Sequence, residues 1–154
     1  MNIHFICRGN VFRSLIAETY LKSLQIPGVN VKSSGTKADF YREVNGPLFN
    51  DSVQMLSRHG LADYVKDRPD QLTQSRLIDD DIVIVVNDIA KKEADEIVKL
   101  PDDTIVWDIL DFGEGTRTEL IENGRHVDEV VFDEVVANVD ELVASLNTLT
   151  DRDA

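Results

Sequence analysis

The sequence has few of the residues on which disulfides, metal centres and membrane spans depend. Cys7 is the one cysteine among 154 residues, which excludes a disulfide within the chain and a metal site built from several cysteines. No apolar run approaches the roughly 20 residues that a membrane helix needs, so we expect no membrane partner. The first residues lack the basic start and long apolar stretch of a secretory signal, and we therefore expect a cytoplasmic protein.

Positive charge is also scarce. The chain has 16 Lys and Arg residues against 29 Asp and Glu residues, which gives a formal net charge of −13. Proteins that follow nucleic-acid phosphates normally carry the opposite sign, so we expect no nucleic-acid partner. Any phosphate site must rely on local positive groups, because the overall field repels anions. His4, His59 and His126 have no spacing suited to a metal, and we expect neither a metal nor another cofactor.

Short apolar segments alternate along the chain with segments of helical periodicity. Residues 82–86 are five consecutive β-branched side chains, which is typical of a strand covered on both faces. The pattern predicts strands near 3–6, 29–33, 82–86 and 104–107, and helices near 14–24, 47–59, 90–100 and 128–149. This order predicts a three-layer α/β domain with a four-stranded parallel sheet flanked by helices. We expect one domain over residues 1–150 and a frayed tail at 151–154.

The loop after the first strand contains the residues of phosphate chemistry and reads Cys7-Arg8-Gly9-Asn10-Val11-Phe12-Arg13-Ser14. Backbone N–H groups that converge at a helix N-terminus bind phosphate, because the helix dipole adds partial positive charge there. Gly9 allows close approach of the backbone, and Asn10 tolerates the left-handed conformation of a tight loop. Arg13 can hold two phosphate oxygens with its planar guanidinium. We therefore expect residues 8–13 to bind phosphate.

Cys7 ends the first strand, where its sulfur would face a phosphorus atom held by the loop. The loop N–H groups, the helix terminus and Arg13 all favour the thiolate, which is the nucleophilic form. Ser14 is placed to donate a hydrogen bond to the sulfur and to stabilise it as a leaving group. The alternative interpretation is a buried structural cysteine, and the strand, glycine and arginine around Cys7 favour the catalytic one.

With Ile16-Ala17-Glu18 after it, this loop resembles the signature of the low-molecular-weight protein tyrosine phosphatases. That family typically reads Cys-x-Gly-Asn-x-x-Arg-Ser, followed by a small residue, Ala and Glu. Ser33-Ser34-Gly35-Thr36 resembles its Ser-Ala-Gly-Thr segment. Trp107-Asp108-Ile109-Leu110-Asp111 resembles the stretch that ends in its Asp-Pro acid loop. The resemblance covers nearly the whole chain.

The resemblance implies a phosphomonoester hydrolase, expected to act on a phosphotyrosine-containing protein or a small aryl phosphate. Cys7 would form a phosphocysteine while Asp111 protonates the leaving oxygen. Water would then hydrolyse that intermediate, with the same carboxylate taking the proton. Asp108, three residues earlier, is the second candidate for this acid.

The acid loop departs from the family pattern. Phe112 stands where the family has proline, and residues 113–115 replace its usual aromatic neighbours. Proline restricts the residue before it, so we expect its loss and two added glycines to loosen Asp111. A phosphate- or phosphopeptide-binding relative without effective catalysis is therefore an alternative function.

The phosphate loop departs as well. Phe12 stands where many relatives have a second cysteine, and arsenate reductases of this fold that relay thiols need further cysteines. Arsenate reduction is therefore a second alternative only if an external thiol takes part. Arg8 stands where relatives mostly have an apolar residue, and it either adds positive potential at the pocket mouth or is solvated.

Two further positions complete the expectations from the resemblance. Phe40 and Tyr41 fall where relatives place an aromatic wall against the phenol ring, and we expect them either to bind substrate or to pack within their loop. Asn87 stands where relatives often have Asp, and Asp88 is expected to cap the helix that follows.

Overall fold

The computed structural model describes the backbone of residues 1–153 and the side chains of residues 1–147. The strands are β1 (Asn2–Cys7), β2 (Asn30–Gly35), β3 (Ile82–Val85), β4 (Ile105–Val106), β5 (Ile121–Glu122) and β6 (Arg125–His126). The helices are α1 (Arg13–Ser23), α2 (Arg42–Arg58), α3 (Asp88–Ile97) and α4 (Val127–Asp153), with 3₁₀ turns at Ala62–Tyr64 and Gln74–Leu77. The fraying expected at residues 151–154 lies outside the fully described part of the chain. Within the described residues, no helix is both long and apolar enough to cross a membrane.

Strands β1 to β4 form one parallel sheet in the order β2-β1-β3-β4, flanked by helices. This confirms the predicted α/β fold with its four-stranded parallel sheet. Strands β5 and β6 form a separate antiparallel hairpin that the sequence pattern did not predict, because each has only two residues. The signal for it was the Asn123-Gly124 pair between them, since both residues have positive φ, 52° and 78°, as a tight hairpin turn requires.

The sheet has an apolar core on each face. Ile3, Phe5 and Ile84 pack into one cluster with side chains of α1, α2 and α4. Their strand neighbours Val83 and Val85 pack into the other cluster, with the buried alanines of α3. Because side chains alternate along a strand, burial on both faces explains why residues 82–86 are apolar without interruption.

Two helix starts differ from the sequence-based expectation. Helix α2 begins at Arg42, so Pro47 lies inside it rather than at its start, where a proline normally signals one. Pro47 removes one backbone donor from the helix. Helix α3 is capped by Asn87, whose side chain accepts a hydrogen bond from the backbone N–H of Ala90 at 2.9 Å. The expected cap, Asp88, is instead the first residue of that helix.

The end of β2 supports the loop that follows β1. The strand order reverses between β1 and β3, and ligands bind at such a point, beyond the carboxyl ends of the strands. Gly35 lies beside Cys7 in the parallel register. A Cβ added to Gly35 would lie 2.6 Å from the carbonyl oxygen of Arg8 and 2.8 Å from the backbone nitrogen of Asn10. The loop therefore packs directly on a residue that has no side chain.

The Gly35→Ala variant should lose about 1 to 3 kcal/mol of unfolding free energy, because backbone atoms of the loop would have to move. Gly46→Ala is the matched control, since Gly46 lies in α2 with open space around its Cα. That change should alter stability by no more than about 1 kcal/mol, because the better helix propensity of alanine is opposed by the restriction that Pro47 places on the residue before it. Urea unfolding measures both, and equal stability of Gly35→Ala and the wild type would show that the loop does not depend on this contact.

Candidate active site

The Cys7 sulfur lies at the centre of the loop that joins β1 to α1. It is 2% exposed, and its Sγ lies 2.8 Å from the Ser14 Oγ. The backbone N–H of Asn10 donates to the same sulfur at 3.2 Å. Asn10 has a φ of 58°, the left-handed conformation that the sequence analysis expected there. The structure thus brings two of the expected loop residues, Asn10 and Ser14, to the Cys7 thiol.

A buried polar network holds this loop in place through the side chain of Asn10. Its amide Nδ2 donates to the Ser14 Oγ at 2.7 Å and to the Ser33 Oγ at 2.8 Å. Its Oδ1 accepts from the backbone N–H of Asp70 at 2.9 Å and from the Lys66 Nζ. Burial lowers the pKa of Lys66 from its ordinary value, and nearby carboxylates partly oppose that shift. The network joins the loop to β2 and to the segment after the first 3₁₀ turn.

Glu18 closes the network at its far side. It is 1% exposed, and its Oε1 accepts a hydrogen bond from the Ser33 Oγ at 2.8 Å. Its Oε2 accepts from the Lys22 Nζ at 2.7 Å. The glutamate of the signature therefore acts through Ser33 on the loop. Sequence reasoning missed Lys66 and Asp70, because nothing in their local sequence marks them.

Arg13, expected to bind phosphate, is buried and holds a carboxylate that the sequence analysis did not assign. The guanidinium is 4% exposed, and its Nη1 donates to the Ile109 carbonyl at 3.0 Å. Its Nη1 and Nη2 donate to the two carboxylate oxygens of Glu114 at 2.6 and 3.2 Å. Glu114 also accepts from the Asn87 Nδ2 at 3.1 Å and from the backbone N–H of Asp111 at 2.9 Å. The Glu114 carboxylate therefore contacts the phosphate loop through Arg13, the end of β3 through Asn87 and the acid loop through Asp111.

The two candidate acids differ in their surroundings. Asp111 is half-buried, whereas Asp108 is exposed. Burial raises the pKa of Asp111 above its ordinary value, although the charge of Arg13 and the Phe112 N–H, which donates to it at 2.8 Å, oppose the shift. The negative charge of Glu114 adds to the upward shift. A carboxyl group with a raised pKa is suited to donate a proton near neutral pH.

Glu114 itself titrates in the opposite direction. Burial raises its pKa, but the charge of Arg13 and the hydrogen bonds from Asp111, Arg13 and Asn87 outweigh burial and hold the pKa below its ordinary value. The site therefore contains two neighbouring carboxyl groups of different character. The protonated form of Asp111 is favoured relative to an ordinary aspartate, and the ionised form of Glu114 is favoured relative to an ordinary glutamate.

Hydrogen bonds, rather than a proline, hold the acid loop. The backbone N–H of Glu114 donates to the Asp111 carbonyl at 3.0 Å, and that of Gly113 donates to the Arg117 carbonyl at 2.8 Å. The Arg117 guanidinium forms ion pairs with Glu122 and Glu134, each at 2.8 Å. The expected loosening of Asp111 by two glycines is therefore opposed by contacts on both sides of the turn.

Arg8 is paired rather than free at the mouth of the loop. Its Nε donates to the Glu93 Oε1 at 2.7 Å, and the Glu93 Oε2 accepts from the Thr36 hydroxyl at 2.7 Å. The Arg8 Nη1 lies 3.7 Å from the Glu114 Oε2. Its side chain is 35% exposed, so part of its positive charge still reaches the surface. Within the described residues, no group of three or more His, Cys, Asp or Glu side chains could hold a metal ion.

A cleft of about 790 Å³ opens between the phosphate loop that follows β1 and the acid loop. Its walls include Phe12 of the phosphate loop, Leu48 of α2, and Asp111 and Phe112 of the acid loop. The structure does not bring the expected substrate-binding pair into this cleft. Phe40 is 77% exposed and Tyr41 is 37% exposed, and the two rings contact each other edge to face at 4.8 Å.

Comparisons with known proteins agree with this geometry. A family model described as low molecular weight phosphotyrosine protein phosphatase matches residues 2–153. No curated protein sequence matches the chain. Among solved structures the chain is similar to the YwlE arginine phosphatase from Geobacillus stearothermophilus, at 23% identity over 98% of this chain and 96% of that one, with a TM-score of 0.64.

Two other solved structures show the same fold. A low molecular weight phosphotyrosine phosphatase from Vibrio cholerae O395 is 18% identical over 99% of this chain and 98% of that one, with a TM-score of 0.61. A thioredoxin-dependent arsenate reductase from Corynebacterium glutamicum is 20% identical over 96% of this chain and 62% of that one, with a TM-score of 0.61. At these identities the structures show the fold, and the family model carries the assignment.

Replacing Asn10 should separate its two roles. Asn10→Ala and Asn10→Gly both remove the amide, which takes one hydrogen bond from each of the buried groups of Ser33 and Lys66 and should cost about 1 to 3 kcal/mol of unfolding free energy. Alanine should cost about 1 kcal/mol more than glycine, because only alanine is strained at a φ of 58°. Urea unfolding of both variants checks the order, and an alanine variant more stable than the glycine variant would contradict it.

Proposed function

The chain belongs to the low molecular weight phosphotyrosine protein phosphatase family, whose members are cysteine-dependent phosphatases, and we propose that it hydrolyses phosphotyrosine or aryl phosphate esters. The single observation that carries this proposal is the Cys7 Sγ, held 2.8 Å from the Ser14 Oγ and 3.2 Å from a loop N–H beside a buried Arg13. Such an arrangement stabilises a thiolate and binds an oxyanion next to it.

In the first step the Cys7 thiolate attacks phosphorus, and the bond to the phenolic oxygen breaks. Asp111 gives its proton to that oxygen, so the product leaves as a neutral phenol. Arg13 and the N–H groups of residues 8–13 stabilise the charge on the equatorial oxygens. The raised pKa of Asp111 supports this role, and the exposed position of Asp108 makes it the poorer candidate.

In the second step a water molecule attacks the phosphocysteine. The Asp111 carboxylate takes a proton from that water, and the Cys7 sulfur leaves as a thiolate. The Ser14 hydroxyl is within hydrogen-bond distance to stabilise the departing sulfur. Asp111 ends the cycle protonated, as it began.

The cleft supplies a place for the leaving group. Phe12 and Phe112 are aromatic side chains on its wall, whereas Phe40 and Tyr41 do not line it, so the first pair is better placed to contact a phenol ring. We propose that the partner is a phosphotyrosine-containing protein or a small aryl phosphate. We also propose a cytoplasmic location.

Asp111→Asn should lower kcat for an aryl phosphate by about 10²- to 10⁴-fold, because the leaving oxygen loses its proton donor. In the wild type, kcat/KM should fall as pH rises through the raised pKa of Asp111, since only the protonated form donates. That alkaline limb should be absent in Asp111→Asn. Asp108→Asn is the matched control and should keep both the rate and the limb.

Cys7→Ser should abolish turnover, and retained activity in that variant would overturn the mechanism. Arsenate-dependent oxidation of an external thiol, without aryl phosphate turnover, would instead assign an arsenate reductase. Phosphate or vanadate binding without any turnover would assign a phosphate-binding relative that has lost catalysis.

Phosphoarginine is a second candidate substrate, because carboxylates lie along the same cleft. Asp51 and Asp128 are among its lining residues, and a carboxylate attracts the guanidinium of an arginine product. The similar structure from Geobacillus stearothermophilus is described as an arginine phosphatase.

Measured side by side, phosphotyrosine and phosphoarginine peptides should distinguish these two substrates. If phosphoarginine is the substrate, Asp51→Asn should lower its kcat/KM several-fold. The exposed Asp63, which does not line the cleft, supplies the control variant Asp63→Asn. Hydrolysis of phosphotyrosine alone, with no effect of Asp51→Asn, would exclude phosphoarginine.

A further inference from the structure

Glu114 lies where the phosphate loop and the acid loop meet, and every polar contact of its side chain is with one of them or with Asn87. Its Oε1 accepts from the Arg13 Nη1 at 2.6 Å, from the Asp111 backbone N–H at 2.9 Å and from the Asn87 Nδ2 at 3.1 Å. Its Oε2 accepts from the Arg13 Nη2 at 3.2 Å. The residue is 7% exposed. Few solvent molecules can therefore compete for this carboxylate.

The contact uses only one edge of the Arg13 guanidinium. A guanidinium has five N–H donors, and Nη1 and Nη2 form the edge farthest from the main chain. Glu114 takes that edge, while the Arg13 Nε is buried and has no hydrogen-bond partner within the described residues. The Nε hydrogen and the second Nη2 hydrogen form the other edge of the guanidinium. Glu114 therefore holds the guanidinium by its Nη1–Nη2 edge and leaves the Nε–Nη2 edge for two oxygens of a bound phosphate.

Asn87 lies beside Glu114, but its neutral amide cannot supply the negative charge that pairs with Arg13. Its Oδ1 is engaged as the cap of α3, where it accepts from the Ala90 N–H, and its Nδ2 is the atom that meets Glu114. An amide donor at this position matches an ionised glutamate and would not bind a guanidinium. The negative group opposite Arg13 thus comes from the acid loop rather than from the end of β3.

We propose that Glu114 is a positioning residue that fixes the phosphate-binding edge of Arg13 and, through the Asp111 backbone, ties the acid to the same carboxylate. The proposal rests on the proposed function, because it assigns Arg13 to the phosphate and Asp111 to the leaving group. A change at Glu114 therefore alters both the binding of the oxyanion and the delivery of the proton.

Glu114→Gln keeps the size of the side chain and removes its charge. Its amide oxygen can take the place of Oε1, but the NH₂ group that replaces Oε2 cannot accept from the Arg13 Nη2, and the charge that pairs with the guanidinium is lost. We expect kcat for an aryl phosphate to fall by about 10²-fold, because small misplacements of positioned groups have effects of this size. Inorganic phosphate and vanadate should also inhibit more weakly, since Arg13 is no longer held.

The pH profile gives a readout that a purely structural role would not change. The charge of Glu114 helps to raise the pKa of Asp111. Glu114→Gln should therefore move the alkaline limb of kcat/KM to lower pH. Glu119→Gln, which removes one negative charge from an exposed position close in sequence, is the matched control and should leave the limb and the phosphate inhibition constant unchanged.

A charge swap tests the contact directly. Asn87→Asp alone places two carboxylates where the Nδ2 and Oε1 now lie 3.1 Å apart, and it should lower activity. Aspartate also caps helices, so this change preserves the start of α3. In the double variant Asn87→Asp with Glu114→Gln, the site again holds one carboxylate and one amide, with their positions exchanged. Activity and phosphate binding should recover to above either single variant.

Three results would overturn the inference. The first is a Glu114→Gln enzyme with wild-type kcat, phosphate inhibition and pH limb. The second is a variant with higher activity and tighter phosphate binding, which would make Glu114 a competitor of substrate. The third is a double variant no better than the single ones while circular dichroism shows all of them folded. Failure of the proposed function is distinct: the wild type would hydrolyse no phosphoester, and titration with inorganic phosphate would still report whether Glu114 orients Arg13.

Discussion

The buried ion pair between Arg13 and Glu114 connects the two parts of the site, which are 101 residues apart in the chain. Burying two charges costs several kcal/mol for each ion unless hydrogen bonds satisfy the remaining groups. Here Asn87, the Ile109 carbonyl and the Asp111 N–H supply those bonds. The pair can therefore remain ionised at 4% and 7% exposure, and it links the residue that binds phosphate to the loop that supplies the acid.

The site resolves a conflict between its ligand and the charge of the protein. A net charge of −13 repels a phosphate ester, yet the loop must bind one. Backbone N–H dipoles attract an anion without adding to the formal charge, and burial strengthens them because water no longer screens them. Carboxylates close to the loop are paired with cations, Glu93 with Arg8 and Glu18 with Lys22. Their negative charge is therefore neutralised locally.

The sequence was informative where the contacts are local. Cys7, Asn10, Arg13 and Ser14 lie within eight consecutive residues, so their spacing, together with the strand before them and the helix after them, predicted a phosphate-binding loop. The alternation of strands and helices predicted the sheet. It was uninformative where a contact joins distant segments. Glu114 looked like one more acidic residue in a glycine-rich loop, because no local pattern reveals that it reaches Arg13.

The same limit explains the remaining differences. Phe40 and Tyr41 are predicted as the substrate wall because they are aromatic and fall where relatives place such a wall, but the cleft is lined from the phosphate loop, α2, the acid loop and the start of α4. The packing of the helices decides which aromatic residues line a cleft, and the local sequence does not predict that packing. Lys66 and Asp70 reach Asn10 across 56 and 60 residues, which is equally invisible in any local pattern.

Loss of the family's proline illustrates how one physical constraint can replace another. Proline restricts the preceding residue in the unfolded and folded chain alike. Such a restriction contributes about 0.4 to 1 kcal/mol to the free energy of unfolding. A hydrogen bond to a charged group contributes about 1.5 to 3 kcal/mol. The Asp111 N–H makes such a bond to Glu114, and the Leu110 carbonyl accepts one from Arg117. Two charge-assisted bonds thus exceed what the proline ring would supply, and they hold Asp111 by contacts with the site itself rather than by the stiffness of its own backbone.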